Sequence, residues 1–402
     1  MDAVEIKKDI YWTGITDWNV RTFHGHTYST ARGTTYNSYL IIDDKPTLID
    51  GVYGPFAAEQ IRKIGELIPP EKIENIVVNH IETDHSGSLP ELVRACPKAR
   101  LYGTQKCREG LGRLYYGMKD VIDDPERFRV VKTGDKLNIG KRELSFIEAP
   151  MIHWPDSMFT YCGQEELLFS NDAFGQHYAT SGKFDDEVDM CALMDEATKY
   201  YANILWPLGA MIDRKINEIL SSGIPIRMIA PSHGVIWRKD PLKPVKAYMS
   251  WAKNETKRKA VIVYETMWDS TAKMARAIAD GLVEGGVDTK LFDITASDST
   301  EVASQMLDAK AFIIGSSTHD NDMLPSIAAF LELLKGFKAK NRMAAVFGSY
   351  GWAGGAVKEV EEVLKEGGIE TVLPSVSVKF VPDETDLKRC RDLGTEMAKK
   401  IE

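Results

Sequence analysis

The stretch Asn79–Gly87, "NHIETDHSG", follows the apolar run "ENIVV" and decides how the first half of the chain reads. His80, Glu82 and Asp84 alternate at the end of a strand-like segment, and His85 follows directly. Such a His-x-x-x-Asp-His run suits half of a two-metal site. Where a hydrolytic site of this kind has a second histidine, however, this chain has Glu82.

Further candidate ligands come later in the same half. His153 lies in "APMIHWPDS", Asp172 in "LLFSNDAFG" and His233 in "RMIAPSHG", each at the end of an apolar strand-like run. A single His or Asp in such a place is usually a turn residue. Together with His80, Glu82 and Asp84 they form an ordered set of three imidazoles and three carboxylates, a donor mix that suits first-row metals. Charge then explains Glu82. Two Fe(II) ions bring +4, the three carboxylates −3 and a bridging hydroxide −1, so a buried site is neutral and avoids a heavy desolvation cost. A histidine at position 82 would leave it positive. A harder, anionic ligand also favours iron that changes valence over redox-silent zinc.

The chain has 402 residues, 44% apolar and 27% charged, which predicts two domains. No apolar run reaches the ~20 residues of a membrane span, and the opening "MDAVEIKKDIYWTG" lacks a signal peptide's apolar core. Five scattered cysteines with no C-x-x-C pair suit a reducing cytoplasm and exclude a four-cysteine metal module. The net charge of −9 disfavours nucleic acid and anionic membrane as partners.

Residues 1–253 read as short strands and turns with a few helices. "TTYNSYLIIDDKPTLIDGV" predicts strand, turn and strand; "FAAEQIRKIGELI" an amphipathic helix; and "ALMDEATKYYANILWPLGAMIDRKINEILSSG" a long helical region ending at a glycine. After a polar linker at 251–260, residues 254–402 alternate strand and helix, which predicts a doubly wound parallel sheet of five buried strands. Ligands of such sheets bind at the carboxyl ends of the strands.

Three loops at those ends are small and polar. "ETMWDST" (265–271) joins strand to helix and lacks a Walker lysine, so it suits one terminal phosphate, as on FMN, rather than ATP or GTP. Its candidate contacts are Thr266, Met267, Trp268, Asp269, Ser270 and Thr271. "GSSTHDNDMLP" (315–325) adds Ser316, Thr318 and Asn321; "GSYGWAGGA" (348–356) adds Ser349, Tyr350, Gly351, Trp352 and Gly354. A carboxylate facing a phosphate would repel it, so Asp269 has to point outward.

The order of these motifs resembles a metallo-β-lactamase-like αββα sandwich followed by a flavodoxin-like sheet. "WNVRTFHGHTYSTARGTTYNSYLI", "HIETDHSGSLP", "MIHWPDS", "SNDAFGQ", "KYYANIL", "SHGVIWR", "ETMWDSTAKMA" and "FGSYGWAGGA" resemble, in order, signatures of the flavodiiron proteins (A-type flavoproteins) across nearly the whole chain. The resemblance implies one iron on His80, Glu82 and His153, the other on Asp84 and His233, and Asp172 bridging. It places His85 beside the site without ligating, and His24 and Tyr200 in the pocket near the open coordination positions. It also implies electrons from an external rubredoxin or similar small redox protein, and a head-to-tail homodimer, possibly a dimer of dimers.

The expected activity is reduction of O2 to water, of NO to N2O, or both. Four electrons for O2 match two from the irons and two from a reduced flavin. Two alternatives stay open: a zinc hydrolase carrying a flavodoxin-like passenger, and a non-enzymatic flavin electron carrier.

Overall fold

A computed structural model describes residues 2–25 and 27–401. The chain divides into two compact units, Met1–Tyr200 with Ala210–Met249, and Tyr201–Gly209 with Ser250–Glu402.

The first unit is built on two facing sheets. One runs, in spatial order, Val4–Lys7, Ile10–Trp12, Tyr39–Ile41, Thr47–Ile49, Asn75–Val77, Arg100–Gly103 and Phe128–Val130. The other runs Lys136–Asn138, Glu143–Glu148, Met158–Cys162, Leu167–Asn171 and Met228–Pro231. Strand alternation sends Trp12, Tyr39, Ile41, Ile49 and Val77 of the first sheet into one core with Leu144, Phe146, Met158 and Phe169 of the second. Leu40, Leu48, Ile76 and Leu101 face the other way and bury the apolar stripe of Ala57–Leu67, Leu89–Ala95 and Gln105–Leu114, including Ile64, Leu89, Leu92 and Leu111. Truncating a fully buried leucine in either core, such as Leu48 or Leu144, costs roughly 2–5 kcal/mol.

Local departures from the expected elements have physical causes. The stretch 34–41 is not one strand. Thr34–Tyr36 pairs with Ile15–Asp17, and Tyr39–Ile41 joins the large sheet. Asn37 breaks the ladder because its amide donates to the carbonyls of Pro231 (2.8 Å) and Gly234 (3.0 Å) while its Oδ1 accepts from Trp12 Nε1. That break clamps the turn carrying His233. The helical region 190–221 is interrupted between Met190–Tyr200 and Gly209–Ser221 by a wide turn, Tyr201–Leu205, and a tight one, Trp206–Leu208. Pro207 has no N–H to continue the ladder. The alternation at 80–84 also stops early: Glu82 is extended, but Asp84 and His85 lie on the short helix Thr83–Ser86.

In the second unit all strands are parallel, in the order Asp288–Asp293, Lys257–Glu265, Ala309–Ser317 and Met343–Tyr350. The strand expected near 372–378 is two short ones, Glu370–Thr371 and Val376–Lys379, both pairing with Met343–Tyr350. The order reverses at Lys257–Glu265, so a crevice opens beyond its carboxyl end. The helices Ser270–Glu284 and Glu384–Lys400 cross at glycines. A Cβ on Gly281 would stand 2.1 Å from the Arg391 carbonyl, and one on Gly394 2.1 Å from that of Ile278.

Candidate functional site

Six of the expected ligands converge in the first unit, and His85 stands with them. His80, Glu82, His153 and Asp172 form one group of donor atoms; Asp84, His85 and His233 form a second. Asp172 is divided between them. Its Oδ2 lies 3.5 Å from His80 Nε2 and 3.2 Å from His153 Nε2, and its Oδ1 lies 3.0 Å from His85 Nε2 and 3.7 Å from His233 Nε2. Glu82 Oε2 closes the first group at 3.2 Å from His153 Nε2, and Asp84 Oδ2 closes the second at 3.0 Å from His233 Nε2.

The backbone and buried polar groups hold these rings. Asp156 Oδ2 accepts from Ile81 N–H at 2.8 Å and faces His80 Nδ1 at 3.1 Å. The Thr35 carbonyl lies 2.6 Å from His233 Nδ1. Asp50 accepts from both the backbone and the side chain of Asn79, next to His80. Each contact at Nδ1 leaves Nε2 free to donate a lone pair into the cluster.

Two observations test whether a metal pair fits. Both oxygens of Asp172, Asp84 Oδ1 and His85 Nε2 are buried yet make no hydrogen bond among the described residues. The donor atoms of the site cluster in two tight groups, as the ligands of a metal pair would. Electrostatics agrees. Burial opposes protonating His80, but Asp156, Glu82 and Asp172 outweigh it and lift its pKa to about 10. His153 is lifted to about 10 against burial by Asp172 and Glu82, and His85 to about 9 against burial by Asp84 and Asp172. Burial would raise Glu82, but His153, His24 and His80 hold it well below the usual carboxylate range. The carboxylates thus demand positive charge, which protons supply in a metal-free chain and metal ions would replace.

His24 has Nδ1 3.3 Å from Glu82 Oε1 and lines a cavity of about 300 Å³ with Tyr36, Tyr53, Glu82 and Asp84. Tyr200 is buried, its ring centre 6.3 Å from that of His233 and 5.2 Å from that of His177. Burial, then Asp172, pushes its phenol well up, so it keeps its proton. Sequence reading passed over Tyr36, Asp156 and His177. His177 is fully buried, with Nδ1 2.8 Å from Thr34 Oγ1, and burial and His233 hold it neutral. Its only sequence signal was a position five residues after Asp172. Asp156 lies within "MIHWPDS", three residues after His153, a spacing that by itself signals no role.

The second unit gathers the hydroxyls of the three loops. Thr271 Oγ1 lies 2.9 Å from both Ser317 Oγ and Ser349 Oγ, and Thr266 Oγ1 is buried with no partner among the described residues. Ser270 and Thr271 open the helix Ser270–Glu284, whose first amides offer a phosphate the positive end of the helix dipole. Asp269 sits in the left-handed region (φ 63°) with its side chain exposed and capping nothing. Beside this cradle a cavity of about 220 Å³ is lined by Met267, Trp268, Ser270, Thr318, Ser349, Tyr350 and Gly351, with Ser317, Phe380 and Val381 added by the fold.

Seven expected contacts do not line it: Thr266, Asp269 and Thr271 belong to the first loop described above, and four others lie elsewhere. Ser316 Oγ is spent inside its loop, donating to the Ser317 carbonyl and accepting from Leu324 N–H. Asn321 is exposed, and its carbonyl crowds the third loop so closely that a Cβ on Gly355 would stand 1.7 Å away. Gly354 backs onto the Tyr350 ring, and Trp352 is 90% exposed. These residues shape or flank the loops. Phe380 and Val381 escaped sequence reading because they follow the last strand, beyond the three loops considered. An apolar cavity rimmed by exposed aromatics, next to a hydroxyl cradle at a helix start, fits a planar ring joined to a phosphate.

Two adjoining groups of metal-ligand donors in one unit and a flavodoxin-type sheet in the other together define a class of redox metalloflavoproteins. Residues 34–234 match the ODP family beta lactamase model, and residues 262–394 match flavodoxin. A nitric oxide reductase of Moorella thermoacetica is 50% identical over 99% of this chain and 98% of its own. An anaerobic nitric oxide reductase flavorubredoxin of Vibrio vulnificus is 41% identical over 99% of this chain and 80% of its own. The solved rubredoxin oxygen:oxidoreductase of Desulfovibrio gigas superposes with a TM-score of 0.95 at 35% identity, covering 100% of this chain and 98% of that one. The flavodiiron protein of Giardia intestinalis gives 0.94 at 38% identity, over 100% and 97%. The chain belongs to the flavodiiron protein family.

Proposed function

We propose that the protein is an oxidoreductase that takes electrons from a rubredoxin or similar small redox protein and reduces NO to N2O, O2 to water, or both. The observation that carries this reading is the division of the Asp172 carboxylate between two donor groups, in a chain that also has a flavodoxin-type sheet. The relatives at 50% and 41% identity are both named nitric oxide reductases, which puts NO first.

In this reading residues 1–253 form the metal domain and 254–402 the FMN domain. His80, Glu82 and His153 would hold one iron, Asp84 and His233 the other, with Asp172 shared. His85 Nε2, 3.3 Å from Asp84 Oδ2, is within reach of the second. The hydroxyls of Thr266, Ser270 and Thr271 would take the FMN phosphate, and Met267, Trp268, Tyr350 and Gly351 would flank its ring. When bound, the flavin supplies electrons one or two at a time and the iron pair a template for two small ligands side by side.

The chain's own residues do the rest. His24 borders the open cavity and can deliver a hydrogen bond or proton to a ligand there. Tyr200, kept protonated by burial, is a donor at neutral pH. Family resemblance supports a head-to-tail homodimer in which the flavin of one chain serves the irons of the other. No helix among the described residues is long and apolar enough to cross a membrane, and the dispersed cysteines suit a cytoplasmic setting.

The test is metal and flavin analysis of protein made in iron-replete cells, then turnover with NADH, a rubredoxin reductase and a rubredoxin. The reading requires about two irons and one FMN per chain, with donor-dependent loss of NO or O2. Colourless protein holding two zincs would favour the hydrolase alternative.

A further inference from the structure

The two metal positions are unequal in what stands behind their histidines. His80, fully buried, directs Nδ1 at a carboxylate: Asp156 Oδ2 at 3.1 Å and Oδ1 at 3.3 Å. Asp156 is 2% exposed and fixed on both sides. Its Oδ2 accepts from Ile81 N–H at 2.8 Å, and its carbonyl accepts from Thr104 Oγ1 at 3.1 Å. The Trp154 ring, 5.2 Å from that of His80, stands edge-on beside it. Behind His233, among the described residues, stand neutral groups: the Thr35 carbonyl at 2.6 Å from Nδ1 and Thr34 Oγ1 at 3.4 Å.

We infer that Asp156 is a positioning residue that differentiates the two irons: by taking the His80 Nδ1 proton in a charge-assisted bond it makes His80 Nε2 the stronger donor, so the iron on His80, Glu82 and His153 is the more tightly held and the easier to oxidise. The inference rests on the two-iron reading above. Its physical basis is general. A carboxylate behind a ligating imidazole fixes the tautomer and raises ligand basicity, and charge-assisted bonds are roughly twice as strong as neutral ones. Carboxylate charge does not create the asymmetry, because each group has one carboxylate of its own, Glu82 or Asp84, and Asp172 turns one oxygen toward each. Positive charge gained by an iron on oxidation in the His80 group would be stabilised through His80 by Asp156. At the other iron the same gain would meet a carbonyl dipole.

Asp156→Asn removes the charge but keeps an oxygen for Ile81 N–H. Fe(II) affinity is read anaerobically by chelator competition, and the two one-electron couples by a mediated redox titration. The expected result is that one of the two irons is weakened by about 10–100-fold while the other changes little, and that the lower couple rises toward the upper. Folding of the variant is followed by its FMN content and melting temperature. Should it not fold, the wild type still decides: in metal-free protein labelled with 5-fluorotryptophan, the first equivalent of Fe(II) should broaden the Trp154 resonance, and the second should add little. A first equivalent that leaves Trp154 sharp overturns the inference, as does an Asn variant with wild-type affinity and couples. A wild type that binds no iron at all overturns the two-iron reading together with it.

Discussion

His153 Nε2 stands 3.2 Å from Asp172 Oδ2, and no hydrogen bond among the described residues uses either Asp172 oxygen. The carboxylate is 1% exposed, and His153, His80 and His85 are all held toward their protonated forms by it and its neighbours. Asp172→Ala should therefore do two things. Iron should fall from about two per chain to near zero, since both donor groups lose a member. The metal-free protein should also lose stability, by about 3–5 kcal/mol, because buried imidazolium groups are left without their counter-charge. Retention of one tightly bound iron would show that the carboxylate serves only one group.

Glu82→His tests why a carboxylate stands there. The change adds positive charge to a site whose charges otherwise cancel, and it gives zinc a softer ligand set. Zinc occupancy should rise at the expense of iron, and turnover with NO and with O2 should fall at least tenfold. Wild-type turnover with unchanged iron would make the glutamate incidental.

The shifted histidines predict a pH dependence of opposite sign for metal binding and for metal-free stability. His80 and His153 rise from 6.5 to about 10 and His85 to about 9, so the folded metal-free chain binds more protons than the unfolded one across this range. Stability from these groups is fully present below pH 6.5 and is lost as pH rises toward 10. Iron must displace the same protons, so its affinity should climb over that window. Lys183, lowered to about 8 by burial and then by Lys63, opposes the trend above pH 8, but it is common to both forms. The measurement is the difference in melting temperature between loaded and metal-free protein, which should widen from pH 6.5 to 9. A constant or narrowing difference would contradict the assignment.

Mixing two inactive variants tests the proposed dimer. One lacks metal through His80→Ala with Asp172→Ala; the other lacks flavin through changes at Thr266, Ser270 and Thr271. If the flavin of one chain serves the irons of its partner, exchange of subunits builds one complete centre per mixed dimer and activity returns. Demonstrated exchange without recovery would mean that transfer runs within a chain.

Much of this was legible in the sequence because strand ends carry side chains to one edge of a sheet. His80, Glu82, His153, Asp172 and His233 each follow an apolar run, and the structure brings their donor atoms together. The loops of the second unit were legible in part: Ser270, Thr318, Ser349, Tyr350 and Gly351 line the cavity there, whereas Ser316 and Gly354 do not. What escaped notice was whatever depends on contacts between distant segments. Asp156 behind His80 and Thr35 behind His233 are 76 and 198 residues away from those rings. Ser316 reads like its neighbour Ser317, and only the strand's alternation turns one hydroxyl into its own loop and the other toward Thr271. The break at Asn37 was invisible for the same reason, because its partners Pro231 and Gly234 lie almost 200 residues on.

The most direct measurement is anaerobic single turnover. Iron-loaded protein is reduced at both iron and flavin, then mixed separately with NO and with O2 while flavin absorbance and N2O are followed. The account predicts that at least one gas reoxidises the flavin within a turnover, and that NO yields one N2O for every two molecules consumed. Fully loaded, fully reduced protein whose flavin and iron stay reduced in the presence of both gases would contradict it.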